Sequence, residues 1–249
     1  KDISVIILKG MDLGRRIYPD RIFRPMSDVD LLVPLNLFQE ASNALESAGF
    51  NPIGKICRRH GRPQMEFSRS GAWPVVELHS YIRFGEVRDM RAEMGAVWER
   101  SLSGVIPGLP KEARALSLRD NLIYLLSHTA IQHVIESPIR LNDIHFLLEA
   151  SNGILKDSDW GEIVQRLIFY KMISAAAFIF SLLATKYQPT IPSWVLQELQ
   201  SRERWINKKI TEHFLNSHSV FNHPRSIISV TIIRYALRDG PIEAIRYGA

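Results

Sequence analysis

Val5-Ile6-Ile7-Leu8 is a short β-branched run that stops at Lys9-Gly10, the pattern of a buried strand entering a turn. Asp28 to Val33 (DVDLLV) repeats that pattern and ends at Pro34, which cannot donate to a strand ladder. Leu37, Phe38, Ala41, Leu45 and Ala48 then fall at helical spacing, with Asn36 as the expected cap and Gly49 as the stop. Phe50–Cys57 and Gln64–Arg69 read as a ragged hairpin around Arg58-Arg59-His60-Gly61. Val75 to Ile82 (VVELHSYI) reads as a further strand, led in by Gly71 and Pro74.

The period changes after Gly104 to Pro110 (GVIPGLP). Ser117 with Asp120 resembles a capping box opening a helix through Leu118, Leu122, Leu125 and Leu126. Leu141, Ile144, Leu147 and Leu148 repeat at helical spacing, and Asp159-Trp160 is expected to open a long apolar helix. Ser193 to Leu199, Arg202 to Leu215 and Arg225 to Leu237 read as helices too. Ile168 to Thr185 is strongly apolar but carries Lys171. It falls short of the about 20 apolar residues of a membrane span, so it is read as a buried central helix and no membrane is expected. The predicted fold class is α+β: a small mixed β-sheet domain over 1–115, then an all-α domain over 116–249.

Composition narrows the class only a little. The 249 residues are 46% apolar and 23% charged, as in ordinary globular proteins. Cys57 is the single cysteine, which excludes an internal disulfide and a cysteine zinc cluster and makes the cytoplasm the expected compartment. Residues 1–115 hold 17 basic and 14 acidic side chains and the rest 14 and 12, so the net +5 divides into +3 and +2. Neither part is a basic arm, and nucleic acid is possible but not favoured as a partner. The chain opens at Lys1 without a signal-peptide pattern, as expected of a fragment of something longer.

The chemistry lies in carboxylates. In a strand, Asp28 and Asp30 share one face, while Val29, Leu31 and Val33 take the other. Two such carboxylates repel unless a cation lies between them, and Mg²⁺ commonly takes one or two carboxylates together with substrate phosphates. Taken alone, an Asp-x-Asp pair is a common solvated strand end. Glu77 adds weight, because a Glu in a core-like strand is costly unless paired, hydrogen-bonded or metal-bound. If the two strands are neighbours, Asp28, Asp30 and Glu77 converge into a trio able to hold two metal ions about 3.5–4 Å apart, as in phosphoryl transfer.

Leu8-Lys9-Gly10, Tyr18-Pro19-Asp20, Arg24-Pro25-Met26-Ser27-Asp28-Val29-Asp30-Leu31-Leu32-Val33 and Glu77-Leu78-His79 together carry a family likeness. The sequence resembles the uncharacterised bacterial nucleotidyltransferase family of the DNA polymerase beta superfamily, over about residues 5–170. Leu116-Ser117-Leu118-Arg119-Asp120 with His128, Arg140-Leu141-Asn142-Asp143-Ile144 and Asp159-Trp160 look like its helical landmarks. The resemblance implies a nucleotidyltransferase domain over 1–115, using a nucleoside triphosphate and Mg²⁺ (or Mn²⁺). It implies Asp28 and Asp30 as paired metal ligands and Glu77 as third ligand or base. Lys9, Gly10, Arg24, Ser27 and His79 are the implied nucleotide-binding residues. Lys9-Gly10 stands where the superfamily has a Gly-Ser or Gly-Gly turn; Met11 follows, so Lys9 is expected to act as a point charge on the triphosphate. The acceptor is unknown, and a regulatory module on the same fold or an RNA-end transferase are the alternative readings.

Other features are read as structural. His128 and His133, five apart, should point about 140° away from each other on an α-helix. The Arg140-x4-His145 spacing is too loose to argue RNase chemistry. Trp98, Trp160, Trp194 and Trp205 are expected to pack.

Overall fold

The computed structural model describes residues 3–59, 62–85, 91–133, 137–188, 190–216, 232–233 and 235–239. His60-Gly61 of the basic hairpin tip and most of the expected helix over Arg225 to Leu237 lie outside these residues. Two compact units form, Lys1–Ile82 with Asp89–Asp120, and Arg83–Arg88 with Asn121–Ala249. The boundary falls inside one helix, α4 (Leu118–Leu126).

The first unit is built on one mixed six-stranded sheet. Its strands are β1 (Val5–Leu8), β2 (Asp28–Leu32), β3 (Asn51–Arg59), β4 (Arg62–Arg69), β5 (Ala72–His79) and β6 (Ala113–Ala115), in the order β3-β4-β5-β2-β1-β6. β2 runs antiparallel to β1 and parallel to β5, and β6 runs parallel to β1. Alternation sorts the side chains of the central strands. Leu31, Val76 and Leu78 join Val33, Phe67 and Met65 against Phe38, Ala41 and Leu45 of helix α2 (Phe38–Ser47). Asp28, Asp30, Glu77 and His79 therefore emerge from the opposite face. Helix α1 (Lys9–Arg16) leaves β1 directly, with Leu8 as its cap residue. Asn36 does not cap α2: Leu37 donates to the Pro34 carbonyl in a 3₁₀ turn over Leu35–Leu37, which delays the helix to Phe38. At α4 one half of the expected box is present, Asp120 N–H donating to Ser117 Oγ at 3.2 Å, while Ser117 Oγ itself donates to an Asp120 carboxylate oxygen at 2.6 Å. Arg100, on helix α3 (Arg91–Arg100), forks that same carboxylate at 2.9 and 3.0 Å.

The second unit is helical: α5 (Pro138–Ala150), α6 (Asp157–Phe169), α7 (Ile173–Lys186), α8 (Ser193–Arg202) and α9 (Trp205–Asn216). α7 is buried nearly all round and packs on α5, α6, α8 and α9. The apolar stretch expected as one helix is two. Lys171 takes φ +55°, Met172 N–H donates to the Leu167 carbonyl and Lys171 N–H to that of Ile168. This is a Schellman end to α6, with lysine where glycine is usual. The freed first turn of α7 is capped at a distance by the Asp239 carboxylate, which accepts from Ile173 N, Ser174 N and Ser174 Oγ. Gly85 fits against this turn only because it lacks a Cβ, which would collide with the Tyr170 carbonyl oxygen.

The two histidines correct the sequence reading of their geometry. Ser127–Gln132 is a π-helical turn, in which His133 N–H donates to the His128 carbonyl, five residues back. The wider turn brings positions i and i+5 to one side, and the rings lie 4.4 Å apart between centroids. No helix among the described residues is long and apolar enough to cross a membrane.

Candidate functional site

The site is assembled by strand register. In the parallel β2–β5 pair, Asp30 lies opposite Glu77 and Leu32 opposite His79; in β1–β2, Leu8 lies opposite Asp30. Direct partners across a sheet project to the same face at about 4.8 Å spacing. Asp30 and Glu77 are thereby juxtaposed, His79 follows one pleat along β5, and Lys9 begins α1 next to them. Both neighbours of β5 are strands, so Glu77 and His79 stand on the rigid middle of the sheet.

Asp30 is the hub and is 2% exposed. Its Oδ1 accepts from Lys9 Nζ at 2.7 Å and meets His79 Nε2 at 3.0 Å, and the same Nε2 lies 3.4 Å from Glu77 Oε2. Burial alone would push the Asp30 carboxyl up. The His79 hydrogen bond and the Lys9 charge outweigh it and hold the group well below the usual carboxylate range. Burial likewise opposes charge on His79, but hydrogen bonds to Asp30 and Glu77 raise its imidazole above the ordinary value. An ionised carboxylate this deep requires cations around it.

Asp28 sits on the same face one pleat toward the start of β2, opposite Val75. Burial, with the Asp30 charge added, pushes its carboxyl up, and Ser27 Oγ reaches it at 3.4 Å. Among the described residues, the donors grouped closely enough to share a metal ion are Asp30, Glu77 and His79, with one ligand atom from each and all within 4.8 Å of one another. Two carboxylate oxygens and one imidazole nitrogen form a donor set that fits a divalent cation.

Arg24 approaches from the loop between α1 and β2. A Cβ on Gly10 would lie 3.1 Å from Met26 Cβ and 3.3 Å from Arg24 Nη1, and one on Gly14 would lie 3.4 Å from Arg24 Cβ. Gly10 and Gly14 share a face of α1, four residues apart, and form the bed on which the Arg24 side chain lies. Gly14 is not among the site residues expected from the sequence; the Gly-x3-Gly spacing on a short helix is the signal that points to it. Arg24 Nη1 also donates to the Pro25 carbonyl at 2.5 Å. Lys9 itself is bonded to Asp30, whereas the sequence expectation directed it to phosphate. The first turn of α1 carries no side-chain cap.

No protein of curated function and no solved structure matches this chain. One family model does, described as uncharacterised nucleotidyltransferase, and it spans the whole sheet, the Asp30 cluster and the helices through α7. With residues 1–188 of 249 matched, the chain belongs to that uncharacterised nucleotidyltransferase family.

Proposed function

We propose that the chain is a metal-dependent nucleotidyltransferase that moves a nucleoside monophosphate from a nucleoside triphosphate to a hydroxyl of a small-molecule, peptide or protein acceptor. The observation that carries this reading is the buried Asp30 carboxylate grouped with Glu77 and His79 beside the first turn of α1, which has no side-chain cap. Asp28, Asp30 and Glu77 are the assigned catalytic and metal-binding carboxylates. A divalent cation bound there, Mg²⁺ or Mn²⁺, supplies charge neutralisation for the phosphates. Lys9, Arg24, Ser27, His79 and the α1 N–H groups from Gly10 onward orient the triphosphate, since helix N-termini and guanidinium forks suit phosphate oxygens. The acceptor oxygen bonds to the α-phosphorus, the bond to the bridging oxygen breaks, and pyrophosphate leaves with that electron pair. Glu77 receives the hydroxyl proton. Catalysis is assigned to residues 1–115, with the cytoplasm as the compartment that holds the triphosphate.

Incubation with each labelled triphosphate, a divalent cation and cell extract tests this. Label should pass to a discrete product with the parent chain and not with Asp30→Ala. No transfer with any triphosphate supports the second reading, a regulatory or partner-binding module, which the Lys9 ammonium seated on Asp30 favours.

A further inference from the structure

We propose that His79 Nε2 is a direct ligand of the bound cation, alongside Asp30 and Glu77, and that this nitrogen makes the site prefer a first-row transition dication such as Mn²⁺ or Co²⁺ to Mg²⁺. The inference rests on the nucleotidyltransferase reading for its cation, and on geometry for the rest.

His79 Nε2 lies 3.0 Å from Asp30 Oδ1 and 3.4 Å from Glu77 Oε2. An octahedral ion with ligands at about 2.1 Å sets its adjacent ligands about 3.0 Å apart. The two edges that run through His79 Nε2 are thus close to that spacing, and one ligand atom from each of the three residues lies within 4.8 Å of the others. Their positions come from the backbone: Asp30 and Glu77 are register partners, and His79 is two residues along a strand paired on both sides. His79 is also close to fully covered, with 12% of its side chain exposed, so the imidazole is confined to the cluster. Asp28, at the partly solvated end of β2, is outside this group.

The donor types decide the preference. Mg²⁺ selects oxygen, and an imidazole nitrogen in its first coordination sphere is a poor exchange for water. Transition dications bind imidazole well, increasingly so from Mn²⁺ to Co²⁺. An all-carboxylate cluster at these positions would carry no such bias.

The full chain is titrated with metal alone. Free Mn²⁺ is followed by electron paramagnetic resonance, Mg²⁺ by competition, and pulsed resonance of the bound Mn²⁺ reads ¹⁴N coupling from a ligated imidazole. Mn²⁺ should bind at least tenfold tighter than Mg²⁺ and show that coupling. His79→Asp, with its fold checked by circular dichroism, should lose the coupling and bring the two affinities within threefold. His79→Gln serves as the second variant: it should lose the coupling and weaken Mn²⁺ about tenfold while barely changing Mg²⁺. Bound Mn²⁺ without nitrogen coupling, coupling that survives in either variant, an unchanged Mn²⁺/Mg²⁺ ratio, or no metal binding overturns the proposal. Transfer by the parent without nitrogen coupling would refute this inference and leave the functional reading intact. Nitrogen-coupled Mn²⁺ with no transfer from any triphosphate would do the reverse.

Discussion

Lys9 reaches Asp30 from a backbone that lysine rarely adopts: its φ is +48°, and its Nζ stands 2.7 Å from Asp30 Oδ1. The position ends β1, starts α1 and neutralises the buried carboxylate, and the left-handed turn is what lets one residue do all three. Glycine is the residue that adopts this conformation without a Cβ penalty.

Lys9→Gly and Lys9→Ala separate the two contributions. Both remove the ammonium and both should lose most transfer activity. Only glycine relieves the backbone, so Lys9→Gly should be more stable than Lys9→Ala by about 1 kcal/mol. Chemical denaturation midpoints read the difference; equal midpoints would show that the turn relaxes without lysine.

Gly10 and Gly14 should respond to alanine with opposite signs. At Gly14 the added methyl meets Arg24 Cβ at ordinary contact distance, 3.4 Å, and alanine favours the helix by about 1 kcal/mol. At Gly10 it meets Met26 Cβ at 3.1 Å, and Met26 cannot withdraw without moving the loop into β2. Gly14→Ala should therefore match or exceed the parent in thermal stability. Gly10→Ala should melt lower and bind triphosphate several-fold more weakly, because its methyl also lifts Arg24.

How much of this was legible beforehand follows from which contacts are local. The alternation in Asp28-Val29-Asp30 and in Glu77-Leu78-His79 assigns the carboxylates to one face of each strand, since a period of two is readable from single residues. That Asp30 pairs with Glu77 and not with Val75 is set by the β2–β5 register, a contact between segments 47 residues apart, and no local pattern encodes it. Consequently His79, one pleat along, joined the metal-type donors while Asp28 did not. The break at Lys171 was hidden because glycine usually marks such an end, and the His128–His133 approach because spacing rules assume 3.6 residues per turn.

Asp30→Asn and Asp28→Asn distinguish the hub from its neighbour. Removing the Asp30 charge leaves Lys9 and His79 facing each other over a buried amide, which should cost a few kcal/mol of stability and abolish metal-dependent triphosphate binding. Removing the Asp28 charge relieves repulsion on Asp30, so Asp28→Asn should keep or gain stability while transfer falls. Urea denaturation beside a transfer assay separates these outcomes. A destabilised Asp28→Asn, or an Asp30→Asn that still binds triphosphate with metal, contradicts the assignment.

Glu203, in the helical unit, gives a stability that depends on pH. Burial and the nearby Asp239 charge push its carboxyl up to about 7, although Thr211 Oγ1 donates to it. In the unfolded chain the same group titrates near 4.3. Between those values the folded state holds a proton that the unfolded state has lost, so stability falls as pH rises across the interval. The contribution is complete below about pH 4 and gone above the folded value near 7. Glu203 is partly exposed, and solvent screening limits the loss to about 1 kcal/mol. The Asp239 carboxylate that opposes Glu203 is also the distant cap of α7, so charging Glu203 adds like-charge repulsion at that cap. Denaturation midpoints at pH 5 and pH 8 should differ in that direction for the parent. Glu203→Gln should flatten the dependence and be the more stable protein at pH 8; an unchanged slope in this variant would assign the effect to another group.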